Sequence, residues 1–388
     1  MPRPGPIRAL VRDRELRFTE GNRLELLTTG RAGLHAMLAA VERAERRVHL
    51  ETYILRADDI GREFLAALTE RAARGVEVRL LYDAVGSFGL DEAALEPLRA
   101  AGGDAIAFNP LSRLWARFAP RRRDHRKILV VDGAVAFMGG LNIGDEYVSG
   151  LGRAGAGEEW RDAHVRVEGP CVRDLEAVFL ESWFRADGPA VAWSSILGRE
   201  PARAGNVRCA VLADGPTYRR RRTRELLLGA LAGVAREVRV VSPYFAPGRR
   251  VLEALAAASA RGVRVSLLLA GNRTDHRSIM RATRAVLPRL LECGVRVFEY
   301  DAAMMHAKLA CFDTDWCAVG TSNLDRQSFE HSYEVNLIVE DADLAKRASG
   351  VFDADTAEAR EVTLETLGRR GLLERFLDGF WALVLSWL

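Results

Sequence analysis

The chain repeats itself. RDHRKILVVDGAVAFMGGLN (123–142) lies over MMHAKLACFDTDWCAVGTSN (304–323), so that His125 and His306 are 181 residues apart, as are Asn142 and Asn323. The match runs outward in order. RRVHLETYIL (46–55) resembles VRVVSPYFAP (238–247) with Tyr53 over Tyr244, and ARGVEVRLLYDA (73–84) resembles ARGVRVSLLLAG (260–271). RDAHVRVEG (161–169) falls over YEVNLIVED (333–341). Several blocks recurring in the same order, with one offset throughout the central motif, mark an internal duplication and confine the fold to two copies of one plan. At 388 residues the chain is long enough for two bodies of ordinary size.

Each copy reads as strand, helix, strand, helix, strand hairpin. Stretches 64–73 and 251–260 carry helical apolar spacing and end in Arg-Gly, where a left-handed residue stops a helix. VEVRLLY and VRVSLLL, which follow, are β-rich runs suited to buried parallel strands. Asp132-Gly133 between two apolar runs is a short-hairpin signal. The predicted class is therefore α/β: two units, each a mixed central sheet flanked by helices, related by a pseudo-twofold axis. The first unit takes 1–190 and the second 207–365. Between them 191–206 reads as a linker, in a stretch (185–205) rich in Gly, Pro and Ser, and 366–388 is a terminal helix.

With 48% hydrophobic and 28% charged residues, the composition is that of a folded chain, which excludes a disordered one. A net charge of +3 says little about partners, but its distribution says more. Arg113, Arg117, Arg121, Arg122, Arg123, Arg126 and Lys127 crowd one motif, and Arg219 to Arg222 with Arg224 form a second cluster. Such clusters attract phosphate, of a lipid surface or of nucleic acid; a solvated helix face is the plainer reading of the second. The five cysteines lack metal-ligand spacing and sit among apolar residues, so buried free thiols in a reducing compartment are expected. The first residues have no apolar core and no signal peptide is expected.

Strand alternation points His125 and Lys127 the same way, and likewise His306 and Lys308. A lone histidine is usually a core residue; two His-x-Lys pairs at equivalent places in two copies are not lone. Facing each other across one shared active site, they supply what phosphodiester transfer needs without a metal or other cofactor. One imidazole attacks phosphorus and the other protonates the leaving oxygen. Lys127, Lys308, Asn142 and Asn323 would hold the non-bridging oxygens as their charge grows. A nucleophilic imidazole needs a partner on its other nitrogen. Asp162 and Glu334, which follow the histidines of their own copies by 37 and 28 residues, are the expected orienting carboxylates. Asp132 has a structural reading of its own, as the residue that pins the hairpin.

His125-x-Lys127-x₄-Asp132 and His306-x-Lys308-x₄-Asp313, each with downstream Gly and Asn, resemble the paired HKD motifs of the phospholipase D superfamily. GGLNIGDEY, WRDAHVRVEGPCV, NRTDHRSIM, LLECGVRVFEY and GTSNLDRQSFEHSYEVNLIVED look like the blocks of the bacterial cardiolipin synthases, in order, over about residues 15–345. Thr321 stands where that pattern usually has serine, and DRQSF varies the usual DxRSF. The resemblance implies catalytic roles for His125, Lys127, Asp132, His306, Lys308 and Asp313. In it His125 attacks a phosphatidyl donor and His306 protonates the departing alcohol, then activates the acceptor hydroxyl. Phosphatidylglycerol as donor, phosphatidylglycerol or phosphatidylethanolamine as acceptor, and a peripheral place on the bacterial inner membrane are implied with it. Net hydrolysis, a nucleic-acid phosphodiesterase of the same superfamily, and a catalytically dead scaffold are the rival readings. The lipid-like flanks argue against nucleic acid as partner, and the intact histidines and lysines against a dead site.

Two segments suit membrane contact. LSRLWARFAPRRR (111–123) interleaves apolar and basic residues, as interfacial segments do. GLLERFLDGFWALVLSWL (371–388) places Gly371, Arg375, Asp378, Ala382 and Ser386 on one helical stripe and leaves a broad apolar face. Eighteen residues reach ~27 Å, short of a ~30 Å hydrocarbon core, so an interfacial helix is expected rather than a span.

Overall fold

A computed structural model describes residues 16–110, 122–148, 159–198, 200–218 and 221–387. The first repeat runs β1 (Phe18–Leu27), α1 (Gly30–Glu42), β2 (Arg47–Thr52), α2 (Asp59–Ala73), β3 (Glu77–Asp83), α3 (Glu96–Ala100) and β4 (Asp104–Phe108). It continues with β5 (Arg123–Asp124), β6 (Ile128–Val131), β7 (Val135–Gly139), β8 (His164–Glu168) and α4 (Cys171–Arg185), and a short α5 (Trp193–Leu197) leads onward. The second repeat runs β9 (Val207–Asp214), α6 (Arg222–Gly233), β10 (Glu237–Ser242), β11 (Phe245–Ala246), α7 (Arg249–Ala260), β12 (Arg264–Ala270), α8 (Arg277–Glu292) and β13 (Arg296–Tyr300). Then come β14 (Leu309–Phe312), β15 (Trp316–Gly320), β16 (Leu324–Asp325), α9 (Arg326–Glu330), β17 (Ser332–Glu340), α10 (Ala342–Ala357), β18 (Arg360–Val362), α11 (Leu364–Gly368) and α12 (Leu372–Trp387).

The duplication is visible in the strand order, β18-β13-β12-β10-β14-β15-β17-β9-β1-β8-β7-β6-β2-β3-β4, which mirrors itself about the β9–β1 pair. In each half three strands are parallel, β2-β3-β4 and β10-β12-β13, and the hairpin joins them antiparallel through β6 or β14. Local chemistry sets the helix ends. Asp58 caps α2 by accepting from the Gly61 N–H at 3.0 Å, and Gly75 (φ 84°) and Gly262 (φ 86°) end α2 and α7 in the left-handed conformation that the Arg-Gly pairs foretold. Asp132 (φ 56°) and Gly133 (φ 63°) are the first two residues of the three-residue turn between β6 and β7, where Val131 pairs with Val135.

Three apolar layers result. The central one is common property: Met138, Val165 and Leu175 of the first repeat pack with Val319, Leu337 and Phe352 of the second. Leu34, Phe64 and Leu80 fill an outer layer on the first half, and Leu255, Leu267 and Leu287 fill its counterpart on the second. Since the apolar effect scales with area removed from water, the shared layer welds the halves together.

The segment 191–206 packs against the first repeat: α5 buries Ile196 beside Trp183, and the Ala204 and Gly205 N–H groups donate to the Gly21 carbonyl at 2.8 and 3.1 Å. Two expectations need correction. Cys293 is exposed, at the end of α8, whereas the other four cysteines are buried free thiols. Arg123 and Arg126 are buried rather than part of a phosphate-attracting surface. Arg126 donates to the Glu334 carbonyl at 3.2 Å, the Ser182 hydroxyl at 2.9 Å and the Asp214 carbonyl at 3.3 Å, stitching the repeats together. Residues 111–121, proposed for membrane contact, and Arg219 and Arg220 lie outside the described residues.

Candidate active site

Each repeat hands its histidine to the other. β5 runs parallel to the start of β17, with Arg123 opposite Ser332 and Asp124 opposite Tyr333, and the His125 N–H donates to the Tyr333 carbonyl at 2.9 Å. The symmetry mate is a parallel bridge between Arg161 and Met305, after which the His306 N–H donates to the Arg161 carbonyl at 2.7 Å. These cross-repeat tethers decide the side-chain partners. His125 Nδ1 lies 3.1 Å from both carboxylate oxygens of Glu334, and His306 Nδ1 lies 2.7 Å from Asp162 Oδ2. Asp162 and Glu334 both lie against the histidines, each against that of the other copy. The carboxylate of each repeat serves the histidine of the other, because the strand segments ahead of the histidines pair across the pseudo-twofold axis.

With Nδ1 turned to a carboxylate, each ring keeps Nε2 for chemistry. Lys127 and Lys308 fold back over their histidines, each Nζ donating to the histidine's own carbonyl, at 2.8 Å for Lys127. Both lysines are buried, and each one's charge reaches the other repeat's histidine, so the four residues form one cluster. Burial lowers the His125 pKa to about 4; Glu334 opposes the shift, and Lys127 and Lys308 add to it. Burial and the Lys308 charge also lower His306. Lys127 falls to about 7 and Lys308 to about 8, burial leading in both cases, with the neighbouring lysine reinforcing it at Lys127. Burial alone would raise the carboxyls of Glu334 and Asp162, yet the adjacent histidine and lysine charges together hold both below the ordinary carboxylate range. The protein alone therefore carries neutral imidazoles and charged carboxylates at neutral pH.

The two asparagines differ. Asn142 accepts from the Ile54 N–H at 3.1 Å and donates to the Tyr147 hydroxyl at 2.6 Å, so it braces the loop after β2. Asn323 is buried with its Oδ1 unpartnered among the described residues, which leaves its carboxamide free to turn toward a ligand. Asp132 and Asp313 are not at the histidines. Asp132 sits at the far end of β6 and accepts from the backbone N–H groups of Glu45, Arg46 and Arg47 at 3.0, 2.7 and 2.9 Å. Asp313 does the same for Ala235, Arg236 and Glu237 at 3.1, 2.7 and 3.2 Å. This placement supports the structural reading of Asp132, and its mate is bonded in the same way.

Sequence reasoning missed several neighbours. Tyr53 stands edge-on to His125 at 5.0 Å, with the Lys127 Nζ 5.2 Å from its ring. Tyr147 (5.8 Å), Trp160 (5.5 Å) and Tyr244 (6.5 Å) surround His306. The alignment of Tyr53 over Tyr244 was the available signal. The Thr321 hydroxyl donates to Glu334, the task a serine there would perform. Gly140 is needed because a Cβ at that position would meet Asp162 Oδ1 at 1.9 Å. The fully buried Glu51 has no hydrogen-bond partner on either oxygen among the described residues, and the Asp124 carboxylate acts on it electrostatically. Burial, reinforced by the Asp124 charge, pushes Glu51 well up, and burial pushes Asp124 to about 6.

Two α/β copies with paired histidines, lysines and crossed carboxylates at one seam define a phospholipase D-type fold and site. A phosphatidylserine synthase from Haemophilus influenzae has the same fold, with a TM-score of 0.75 at 13% identity over 98% of both chains. A polyphosphate kinase from Porphyromonas gingivalis is similar too, with a TM-score of 0.59 at 13% identity over 93% of this chain and 53% of that one. Residues 37–153 and 227–356 match the family described as "Cardiolipin synthase, PLD-like domain". A cardiolipin synthase of Geobacillus kaustophilus is 36% identical over 91% of this chain and 70% of its own length. Cardiolipin synthase 2 of Bacillus anthracis is 34% identical over 92% and 69%. The chain belongs to the cardiolipin synthase family of phospholipase D-like proteins.

Proposed function

We propose that this protein is a cardiolipin synthase, a phosphatidyltransferase that moves a phosphatidyl group from phosphatidylglycerol to a hydroxyl of a second phospholipid. The crossed dyads carry the mechanism. Neutral His125, oriented by Glu334, attacks phosphorus through Nε2; the P–O bond to glycerol breaks, and His306 Nε2–H protonates the leaving oxygen. The imidazolium so required forms when the diester anion enters beside His306, since a negative charge there offsets the burial penalty. The acceptor hydroxyl next gives its proton to His306 and attacks phosphorus, and the P–N bond to His125 breaks. Lys127, Lys308 and the Asn323 carboxamide stabilise the non-bridging oxygens. No step requires a metal, and activity is expected to persist in chelator.

The family supports a membrane-surface setting, peripheral to a bacterial inner membrane, and α12 supports it independently. Leu372, Leu373, Phe376, Phe380 and Leu383 of that helix are exposed. No helix among the described residues is long and apolar enough to cross a membrane. The reading is tested by incubating purified protein with phosphatidylglycerol, with and without phosphatidylethanolamine, and weighing the products. Cardiolipin and free glycerol are expected; phosphatidic acid alone would make the protein a hydrolase. A phosphohistidine trapped in His306→Ala but not in His125→Ala fits the assigned order, and the reverse pattern swaps the roles.

A further inference from the structure

Away from the histidines, the second repeat carries a cavity of about 590 Å³ between α6, α7, α8, α9 and α12. Its floor is apolar, with Leu252, Val286 and Phe329. Its rim is basic, with Arg224, Arg249, Arg289 and Arg326. Four guanidinium groups there share two carboxylates. Glu330 pairs with Arg224 at 3.2 Å and Arg326 at 2.9 Å, and Glu253 pairs with Arg249 at 3.0 Å and Arg289 at 3.5 Å. The surround is thus net positive over a greasy base, which complements an amphiphile with an anionic head and hydrocarbon tails.

A second observation chooses between the anions that could enter. Ala382 of α12 forms one wall, while Phe376, Phe380 and Leu383 of the same helix face outward, 69%, 48% and 60% exposed. The cavity therefore opens beside the face that meets hydrocarbon if α12 lies on a bilayer. A nucleic acid or an acidic peptide would use the arginines and waste the floor.

We propose that this cavity is a second phospholipid site, distinct from the catalytic one, that takes an anionic phosphodiester lipid with phosphate against the arginine rim and a tail on the apolar floor. It rests on the reading of the protein as a phospholipid enzyme of a membrane surface. Its wall α9 lies in the chain between Asn323 and Glu334, so a lipid held there touches the segment that joins two active-site residues.

The test uses the full chain as His125→Ala, which holds lipid without turnover, titrated calorimetrically with dihexanoyl phosphatidylglycerol below its micelle concentration. Two equivalents are expected, one per site. Adding Arg249→Glu with Arg289→Glu, or separately Val286→Trp to fill the floor, should leave one, and dihexanoyl phosphatidylcholine should not fill the second site. One equivalent in the parent, or two in both variants, overturns the proposal. Because the lipid is monomeric, failure here is separable from failure of α12 to bind vesicles. Because Arg249 and Arg289 touch neither histidine, it is also separable from failure to make cardiolipin with the otherwise unmutated chain.

Discussion

At the scale of single residues, the crossed carboxylates make a distinctive demand. Glu334→Gln removes the charge that orients His125, although Glu334 lies 209 residues away and in the other repeat. Losing an orienting acid of this kind lowers rate by about 10²–10⁴. The substitution should slow formation of the phosphohistidine itself, whereas Asp162→Asn should slow both protonation of the leaving group and attack by the acceptor. Rapid-quench measurement of the intermediate separates them; if Glu334→Gln left its formation untouched, the crossed assignment would fail.

The lysines set a pH dependence. Each must be charged to hold the diester, and the protein alone releases those protons near pH 7 at Lys127 and near pH 8 at Lys308. Since kcat/KM reports the free enzyme, it should fall as pH rises through that range. Stability moves the other way. Unfolded lysine keeps its proton to about pH 10.4, so between pH 7–8 and about 10 unfolding takes up protons and these two groups favour the folded state more as pH rises. Thermal unfolding of wild type and of Lys127→Met/Lys308→Met across that window should show the slope only in the former.

At the scale of elements, the β6–β7 and β14–β15 hairpins are held by Asp132 and Asp313, each accepting three backbone N–H groups. Asp132→Ala should lower stability by about 1–3 kcal/mol, as expected for charge-assisted bonds left unmade, with kcat of the folded enzyme unchanged. Urea unfolding beside an activity assay checks it; a collapse of kcat at full folding would restore the catalytic reading. Helix α12 turns its amphipathic pattern around. Asp378 of the polar stripe is buried in ion pairs with Arg370 and Arg281, and the apolar side faces out. Leu373→Glu with Phe376→Glu should therefore reduce flotation with anionic vesicles while activity on detergent-dispersed lipid survives.

Element identity was legible in the sequence because apolar period, Arg-Gly stops and the Asp-Gly turn are local signals. The partners of the histidines were not legible. Two symmetric copies offer each histidine two equivalent carboxylates, and only strand pairing across the axis, through Arg123–Asp124 and Arg161, decides between them. The arginine block misled for a related reason. Adjacent positions on a chain need not share an environment, and Arg126 turned inward to find carbonyls of the other repeat, at Glu334 and Asp214.

At the scale of the whole molecule, the continuous sheet, the common apolar layer and the site are one object. A chain ending near residue 206 lacks Glu334 for His125 and leaves Met138, Val165 and Leu175 without half of their packing. Either half expressed alone should unfold without a cooperative transition and show no transfer activity, and the full chain should melt in a single step. Calorimetry of all three tests this, and two separate transitions in the full chain would contradict it.

The crossing of the dyads also governs how such a protein can change. A replacement at 162 is felt at 306 and one at 334 at 125, so neither copy can drift without its sibling's consent. Chimeras that splice the front of this chain to the back of a distant relative should fail at the join between copies, even when each donor is fully active. Rescue should come from exchanging the contact residues at that seam rather than the histidines.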